Sequence, residues 1–305
     1  MSLLNMAPLA PIVLFGYKRP AEFEQTIQAL RANHLAPDSE LYIFIDGPKR
    51  PEDAPAVDAV KALADQLTGF KTIHRLYAPV NRGLATSVIS GVTDVLRTHP
   101  YVIVLEDDLV TSPNFLDYMN GALLRYQHEP TVFSVAGYSF PMQRPADYPY
   151  DAYLFPRTGS WGWATWPDRW QKADWQVADY TEFMQDARRR KAFNAGGSDR
   201  VRMLRRQQAG EINSWAIRWC YSQFKANGVT VYPTVSKIQN IGFTADATNT
   251  SVYNRYRTAL DPGDTRQFRF PDTPVVDPRF ASQFQQQFSL PVRLFNRLKT
   301  YAGMR

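Results

Sequence analysis

The chain is 305 residues long, 44% hydrophobic and 21% charged, with a formal net charge of +6. Those values belong to a folded globular protein and exclude a disordered one, which combines low hydrophobicity with high charge. The single cysteine, Cys220, excludes an internal disulfide framework and fits a reducing compartment, while the positive balance fits an anionic partner, whether nucleotide diphosphate, nucleic acid or lipid headgroups.

The run Pro11 to Phe15 is continuously apolar and rich in β-formers, which predicts a strand covered on both faces. Pro20 suits a first helical position, and Phe23, Ile27 and Leu30 follow at helical spacing. A second strand is predicted at Leu41 to Ile45, a turn at Asp46-Gly47-Pro48, and a helix through Val57, Val60, Leu63, Ala64 and Leu67. A third strand lies near Thr72 to Tyr77. Asn81-Arg82-Gly83 then opens a helix with Leu84, Val88, Val92, Val95 and Leu96 on one side, and Tyr101 to Leu105 is the most apolar strand of all. Four strands alternating with three helices imply an α/β fold with a mostly parallel sheet. In open sheets of this kind ligands bind beyond the carboxyl ends of the strands, where Arg19, Asp46, Arg82 and Glu106-Asp107-Asp108 all fall.

Ser112-Pro113 reads as a cap and first-turn proline for a helix over Asn114 to Tyr126, followed by a strand at Thr131 to Ala136. From Tyr138 the composition turns aromatic, with Trp161, Trp163, Trp166, Trp170 and Trp175 close together. Helices are predicted over Tyr180 to Ala192, Asp199 to Gln208 and Ser214 to Asn227, with a short strand at Thr230 to Tyr232. Beyond about Thr244 the sequence is polar and weakly periodic, which predicts mainly loops. The last segment differs, with Leu290, Leu294, Phe295, Leu298 and Tyr301 on one helical face and Arg293, Arg297, Lys299 and Arg305 elsewhere. Such a helix suits an anionic lipid surface, or docking on its own domain.

Three adjacent carboxylates leaving a buried strand offer hard oxygen ligands for Mg²⁺ or Mn²⁺ bridging two phosphates. Neutralising the start of the following helix would need fewer acids. For Asp46 two readings stand side by side, a ligand contact and a turn residue, because Asp-Gly-Pro favours a turn by itself. Arg19 and Arg82 read either as ligand contacts or as solvated surface charges. Basic residues are spread along the chain rather than gathered into one arm, so nucleic acid is not the expected partner. No stretch reaches the roughly 18 to 20 apolar residues of a membrane span, and a cytoplasmic location, with peripheral contact at the inner membrane face through residues 290–305, is the matching expectation.

The segment VLEDDLVTSPNFLDYM resembles the metal-site segment of inverting GT-A glycosyltransferases related to the N-acetylglucosaminyltransferase that starts complex N-glycan branching. PIVLFGYKRP resembles that family's first strand and Arg-bearing loop, and LYIFIDG its second strand ending in an Asp. The resemblance covers roughly residues 10 to 245 and implies a GT-A fold using a UDP-sugar, with UDP-N-acetylglucosamine as the leading donor. It implies that Asp108 directly coordinates Mn²⁺, that Asp107 and Glu106 position the nucleotide sugar, and that Asp46 reads the uracil. Arg19 would lie close to the nucleotide, with Arg82 and Ser87 lining the same pocket. The four histidines, His34, His74, His99 and His128, all precede the later half. That fits a family in which one direct protein ligand, the diphosphate and waters complete the metal site.

Gly159-Ser160-Trp161-Gly162-Trp163 resembles the family's acceptor-side loop, which points to Trp161, Gly162 and Trp163 as acceptor contacts, since aromatic faces suit sugar rings. Trp166 and Trp170, four apart, read better as core. The family's catalytic base precedes a Trp-bearing helix; here the stretch is Gly210-Glu211-Ile212-Asn213-Ser214-Trp215, with Asn213 or Ser214 at the aligned position. Glu211 is the nearest carboxylate and the expected base, and Ser214 also reads as a helix cap.

The resulting expectation is a nucleotide-sugar half over residues 10–137, an acceptor-side half over 138–245 and a C-terminal extension over 246–305. The activity would be metal-dependent inverting transfer to a glycan, lipid-linked or other glycoconjugate acceptor in bacterial-type polysaccharide synthesis. Two other functions fit the same sheet. A sugar-phosphate nucleotidyltransferase would need a Gly-rich loop that GYKRP is too short to form, and a carbohydrate-binding protein would account for the absent carboxylate at Asn213.

Overall fold

Strand β1 (Ile12–Gly16) is buried at every position because the two faces of its sheet are both covered. Its residues alternate between two cores. Ile12 and Leu14 join one cluster with Phe23, Ile27, Val57 and Val60, while Val13 and Phe15 join another with Val88, Val92 and Trp219. The computed structural model describes residues 8–243 and 256–301.

From β1 the chain runs through α1 (Pro20–Arg31), β2 (Glu40–Ile45), α2 (Ala54–Gln66) and β3 (Thr72–Tyr77), then through α3 (Leu84–Leu96) into β4 (Val102–Glu106). β1, β2 and β3 are parallel neighbours, and α3 carries the chain back so that β4 pairs in parallel with β1. Strand order therefore reverses between β1 and β4. Helices α1, α2 and α4 (Phe115–Tyr126) pack on the Ile12 face and α3 on the Val13 face. This is the mostly parallel α/β sheet flanked by helices that the alternation predicts.

The sheet continues past β4 with β6 (Val132–Ala136), β7 (Ala152–Phe155), β8 (Trp163–Thr165) and β9 (Val229–Pro233), in the order β3-β2-β1-β4-β8-β6-β9-β7. β8 is wedged antiparallel between β4 and β6, and β7 runs antiparallel at the edge. A second small sheet pairs β5 (Leu109–Thr111) with β10 (Ile238–Asn240), which returns the chain to the end of β4.

Several sequence expectations are corrected. β5, β7, β8 and β10 are strands of only three or four residues that periodicity does not detect. The single helix expected over Tyr180 to Ala192 is two, α6 (Tyr180–Gln185) and α7 (Ala187–Ala195), following the short α5 (Pro167–Trp170). Asp186 breaks it by turning extended and capping α7 through the Arg188 and Arg189 amides. Ser112 does not cap α4 with its hydroxyl, which donates to Asn114 Oδ1 at 2.7 Å instead. α8 (Arg200–Gln208) and α9 (Trp215–Lys225) stand where expected, α9 capped by Ser214 accepting from the Ile217 amide at 3.3 Å. The segment read as loop contains α10 (Pro278–Gln287), capped by Asp277 and anchored by buried Phe280 and Phe284. α11 (Leu290–Tyr301) follows; Arg305 lies outside the described residues, as does the stretch from Thr244 to Arg255.

Candidate functional site

Because β1 and β4 are neighbours at the reversal of strand order, the loops beyond their carboxyl ends open side by side. That crevice is where sheets of this topology admit ligands. Arg19, just before α1, reaches across it and donates to both Asp107 and Asp108, the latter at 2.9 Å. The Tyr17 amide adds a bond to Asp107 Oδ2 at 3.3 Å, and Thr26 donates to the Asp107 carbonyl at 2.9 Å. Thr26 has no sequence signal of its own, since a threonine nearly two turns into a helix is unremarkable until the fold brings Asp107 to it.

The carboxylates carry the marks of crowding. Burial, joined by the charges of Asp108 and Asp107, pushes the Glu106 carboxyl up to about 8, against the pull of Arg19 and a hydrogen bond with Trp215. Burial likewise raises Asp107 to about 6, though Arg19 opposes it. One guanidinium thus serves three clustered acids, an arrangement that favours a further cation.

The return of β10 closes the site from the other side. The Ile241 amide donates to the Asp108 carbonyl at 2.9 Å, and Gly242 lies so close that a Cβ there would overlap the Asp108 carboxylate and approach Arg19 Nη1 to 3.0 Å. Only a glycine fits against that carboxylate without displacing it. Gly242 carries no local sequence signal, because its partner Asp108 is 134 positions away in the chain.

Asp46 is differently employed. Its Oδ1 accepts from the Gly47 amide at 3.0 Å and the Arg82 amide at 2.8 Å, and its Oδ2 accepts from the Gly83 amide at 2.8 Å. The carboxylate staples the loop after β2 to the start of α3, which is the turn-residue reading in an extended form. The Arg82 side chain is exposed and donates to Ser90 Oγ at 2.8 Å, one turn beyond Ser87, whose amide bonds the Gly83 carbonyl at 3.0 Å. Asp53, unremarked in the sequence, ties the first loop down by accepting from Tyr17 Oη at 3.0 Å and Lys18 Nζ at 2.7 Å.

The aromatic loop separates into two roles. Trp161 is partly exposed and meets Tyr138, Phe243 and Tyr256 edge-on, with ring centroids 4.6, 5.8 and 5.5 Å away. Gly162, at φ +61°, turns the chain between it and the sheet, and a Cβ there would come within 2.8 Å of Ile238. Trp163 is corrected from acceptor contact to core: it sits on β8 at 1% exposure, stacked on Trp170 at 5.6 Å and Trp215 at 5.1 Å. β8 is buried at every position, so Trp163, its first residue, lies inside the sheet, whereas Trp161 precedes the turn at Gly162. Trp166 and Trp170 are buried, as their spacing predicts.

Trp215, first residue of α9, joins the start of that helix to Glu106. The loop before it holds Asn213, exposed and accepting from Arg218 Nη2 at 3.2 Å, and Glu211, exposed and paired with Arg206 at 3.0 Å. No contact recorded among the described residues joins Glu211 to the acid triplet.

Among the described residues no group of three or more His, Cys, Asp or Glu side chains is placed to hold a metal by itself. The donor chemistry nonetheless fits an open site. Hard carboxylate oxygens face a cation already, the Arg19 guanidinium, and Asp108 can offer one direct bond while phosphate and water supply the others.

No family model matches the sequence, and no curated protein matches it. Solved structures similar to the chain include a mannosyltransferase from Pyrobaculum calidifontis in complex with GDP-mannose and Mn²⁺, at 15% identity over 53% of this chain and 46% of that one, TM-score 0.38. The galactosyltransferase LgtC in complex with donor and acceptor sugar analogues is similar at 11% identity over 72% of both chains, TM-score 0.40. Mouse xyloside xylosyltransferase 1 is similar at 11% identity over 71% of this chain and 81% of that one, TM-score 0.35. The chain spans less than half the length of the mannosyltransferase.

Proposed function

We propose that this chain transfers a sugar from a UDP-sugar, with UDP-N-acetylglucosamine the first donor to try, to a glycan or glycoconjugate acceptor, using Mn²⁺ or Mg²⁺ held on Asp108. The observation that carries this reading is the convergence of Glu106, Asp107, Asp108 and Arg19 at the one crevice where strand order reverses. When bound, the ion supplies positive charge to the departing diphosphate. Arg19 adds donors suited to phosphate oxygens, and Glu106 and Asp107 orient the nucleotide sugar. Residues 10–137 form the donor half and 138–245 the acceptor half of this reading.

In the reaction the acceptor hydroxyl oxygen bonds to the anomeric carbon while the bond from that carbon to the diphosphate breaks. The electron pair leaves with the diphosphate, the hydroxyl proton passes to a carboxylate, and attack from the opposite face inverts the centre. Glu211 is the base we assign, and Glu211→Gln should abolish transfer while leaving donor binding intact; near-normal turnover removes it from the reaction. Trp161 and Asn213 border the acceptor side.

Calorimetric titration of UDP-sugars with Mn²⁺ and with chelator tests the donor site. Binding that depends on the ion supports it, and equal binding in chelator, or none with Mn²⁺ present, defeats it. Release of nucleoside diphosphate rather than pyrophosphate separates glycosyl from nucleotidyl transfer.

The same proposal places the protein at an anionic lipid surface through α11. That helix carries no acidic residue, and Leu294, Phe295 and Leu298 are 61%, 59% and 65% exposed. No helix of the described residues is long and apolar enough to cross a membrane. Flotation with anionic vesicles, before and after removal of residues 290–305, should lose the bound fraction on truncation; unchanged binding defeats the lipid contact.

A further inference from the structure

Beside α3 an open cleft of about 450 Å³ lies between that helix, the loop carrying Trp175 and the first turn of α9. Its size is that of a small-ligand site. One wall is a row of short polar side chains, Thr86, Ser90 and Thr93, at helical spacing on α3. The floor is Trp175, partly exposed and held in place by Trp170 and Trp219, with ring centroids 4.7 and 6.3 Å away. An indole fixed by neighbouring rings and left open on one side loses little freedom on meeting a ligand, and it offers an apolar surface to the C–H face of a sugar.

The charges of the cleft are unbalanced. Arg218 enters it half-buried and donates to the Ser214 carbonyl at 3.1 Å, the Trp175 carbonyl at 3.1 Å and Asn213 Oδ1 at 3.2 Å, with no carboxylate partner among the described residues. Arg97 lines the opposite side, exposed and paired with Asp94 at 2.8 Å. Two guanidinium groups thus face one acid, Asp94. A cation held by carbonyls alone retains its full charge, and guanidinium is suited to carboxylate or phosphate.

We propose that this cleft binds an acidic saccharide, a sugar ring lying on Trp175 with its carboxylate or phosphate directed to Arg218 and Arg97. Arg218 is one helical turn from Trp215, which contacts Glu106, so a saccharide here lies beside the acceptor side of the crevice. Its service as the acceptor's extension rests on the proposed transferase activity; the binding itself does not.

The test uses the intact protein in chelator, without nucleotide, titrated calorimetrically with a glucuronate-containing hyaluronan tetrasaccharide and with neutral chitotetraose. The acidic sugar should bind at least about tenfold more tightly, a difference of roughly 1.4 kcal/mol. Arg97→Glu, a change at an exposed position, should weaken acidic binding at least fivefold and leave the neutral sugar unaffected. Arg218→Met should remove the preference, and Trp175→Ala should weaken both sugars. Equal affinity for the two sugars, no binding of either, or full acidic binding in both Arg97→Glu and Arg218→Met overturns the proposal. Since neither metal nor donor is present, failure here leaves the donor site standing, and failure of the donor titration leaves this cleft standing.

Discussion

The loops after β2 and β4 both bring aspartate to the carboxyl edge of one sheet, beside an arginine from the loop after β3 or β1, yet their carboxylates are committed differently. After β2, Asp46 spends its oxygens on three backbone amides, and Arg82 turns away to Ser90. After β4, Asp107 and Asp108 meet the Arg19 guanidinium, with Glu106 crowded beside them. A carboxylate satisfied by amides holds a loop, whereas the Asp108 carboxylate, met by a side-chain guanidinium, can exchange that partner for another cation. Position at a strand end does not distinguish the two; hydrogen-bond commitment does.

The largest expected effect follows from the second loop. Asp108→Ala should lower transfer by about 10³-fold, the scale on which a group stabilising developing charge acts, with the thermal midpoint nearly unchanged. Turnover within tenfold of the parent in a Mn²⁺-dependent assay would remove the distinction between the loops. Asp46→Ala should do the reverse. Freeing three amides costs about 2 kcal/mol, a fall in thermal midpoint of about 3 °C for a chain of this length, and Asp46→Asn should recover part of it because an amide oxygen still accepts. A tenfold loss of donor affinity at unchanged stability would instead make Asp46 a ligand contact.

Gly242 sharpens the contrast with a smaller effect. A methyl group there must push the Asp108 carboxylate aside, and the far end of a side chain moves at little cost to the fold. Gly242→Ala should weaken Mn²⁺-dependent donor binding about tenfold, roughly 1.4 kcal/mol, with stability hardly altered. Calorimetry on the variant checks this, and unchanged affinity would show that the carboxylate can hold a ligand from its displaced position.

What the sequence discloses differs along the chain for the same physical reason. β1, β2 and β4 are apolar-rich runs of five or six residues, β3 is a mixed one, and amphipathic helices lie between them, so periodicity places them within a residue or two, and the run of three acids after the fourth is visible at once. Of the later strands β5, β7, β8 and β10 have only three or four residues, and β8 is inserted antiparallel between β4 and β6, which no local pattern discloses. Trp161 and Trp163 are chemically identical and two apart, but Gly162 at positive φ turns between them, leaving one half-open and the other at the centre of a tryptophan cluster. Likewise Arg19 is legible as a charge near the edge, while its partnership with Asp107 and Asp108 depends on the strand reversal.

The smallest effect comes from another carboxylate of the Asp46 kind, in the later half. Asp174 accepts from the amides of Gln176, Val177 and Ala178 at 3.1, 2.9 and 2.9 Å, and from Lys225 Nζ at 3.1 Å. Burial works to raise its pKa, but the Ala178 amide and Lys225 prevail and hold it below the ordinary value of 3.8. A carboxylate whose folded pKa is depressed contributes stability that is present above the unfolded value and is lost as pH falls through the folded one. Asp174→Asn should therefore cost about 1 kcal/mol in urea unfolding at pH 7, a difference that narrows once pH drops below about 4. If the gap between parent and variant stays constant down to pH 3, the amides bind a protonated acid as well as a carboxylate, and charge has no part in how these loops are held.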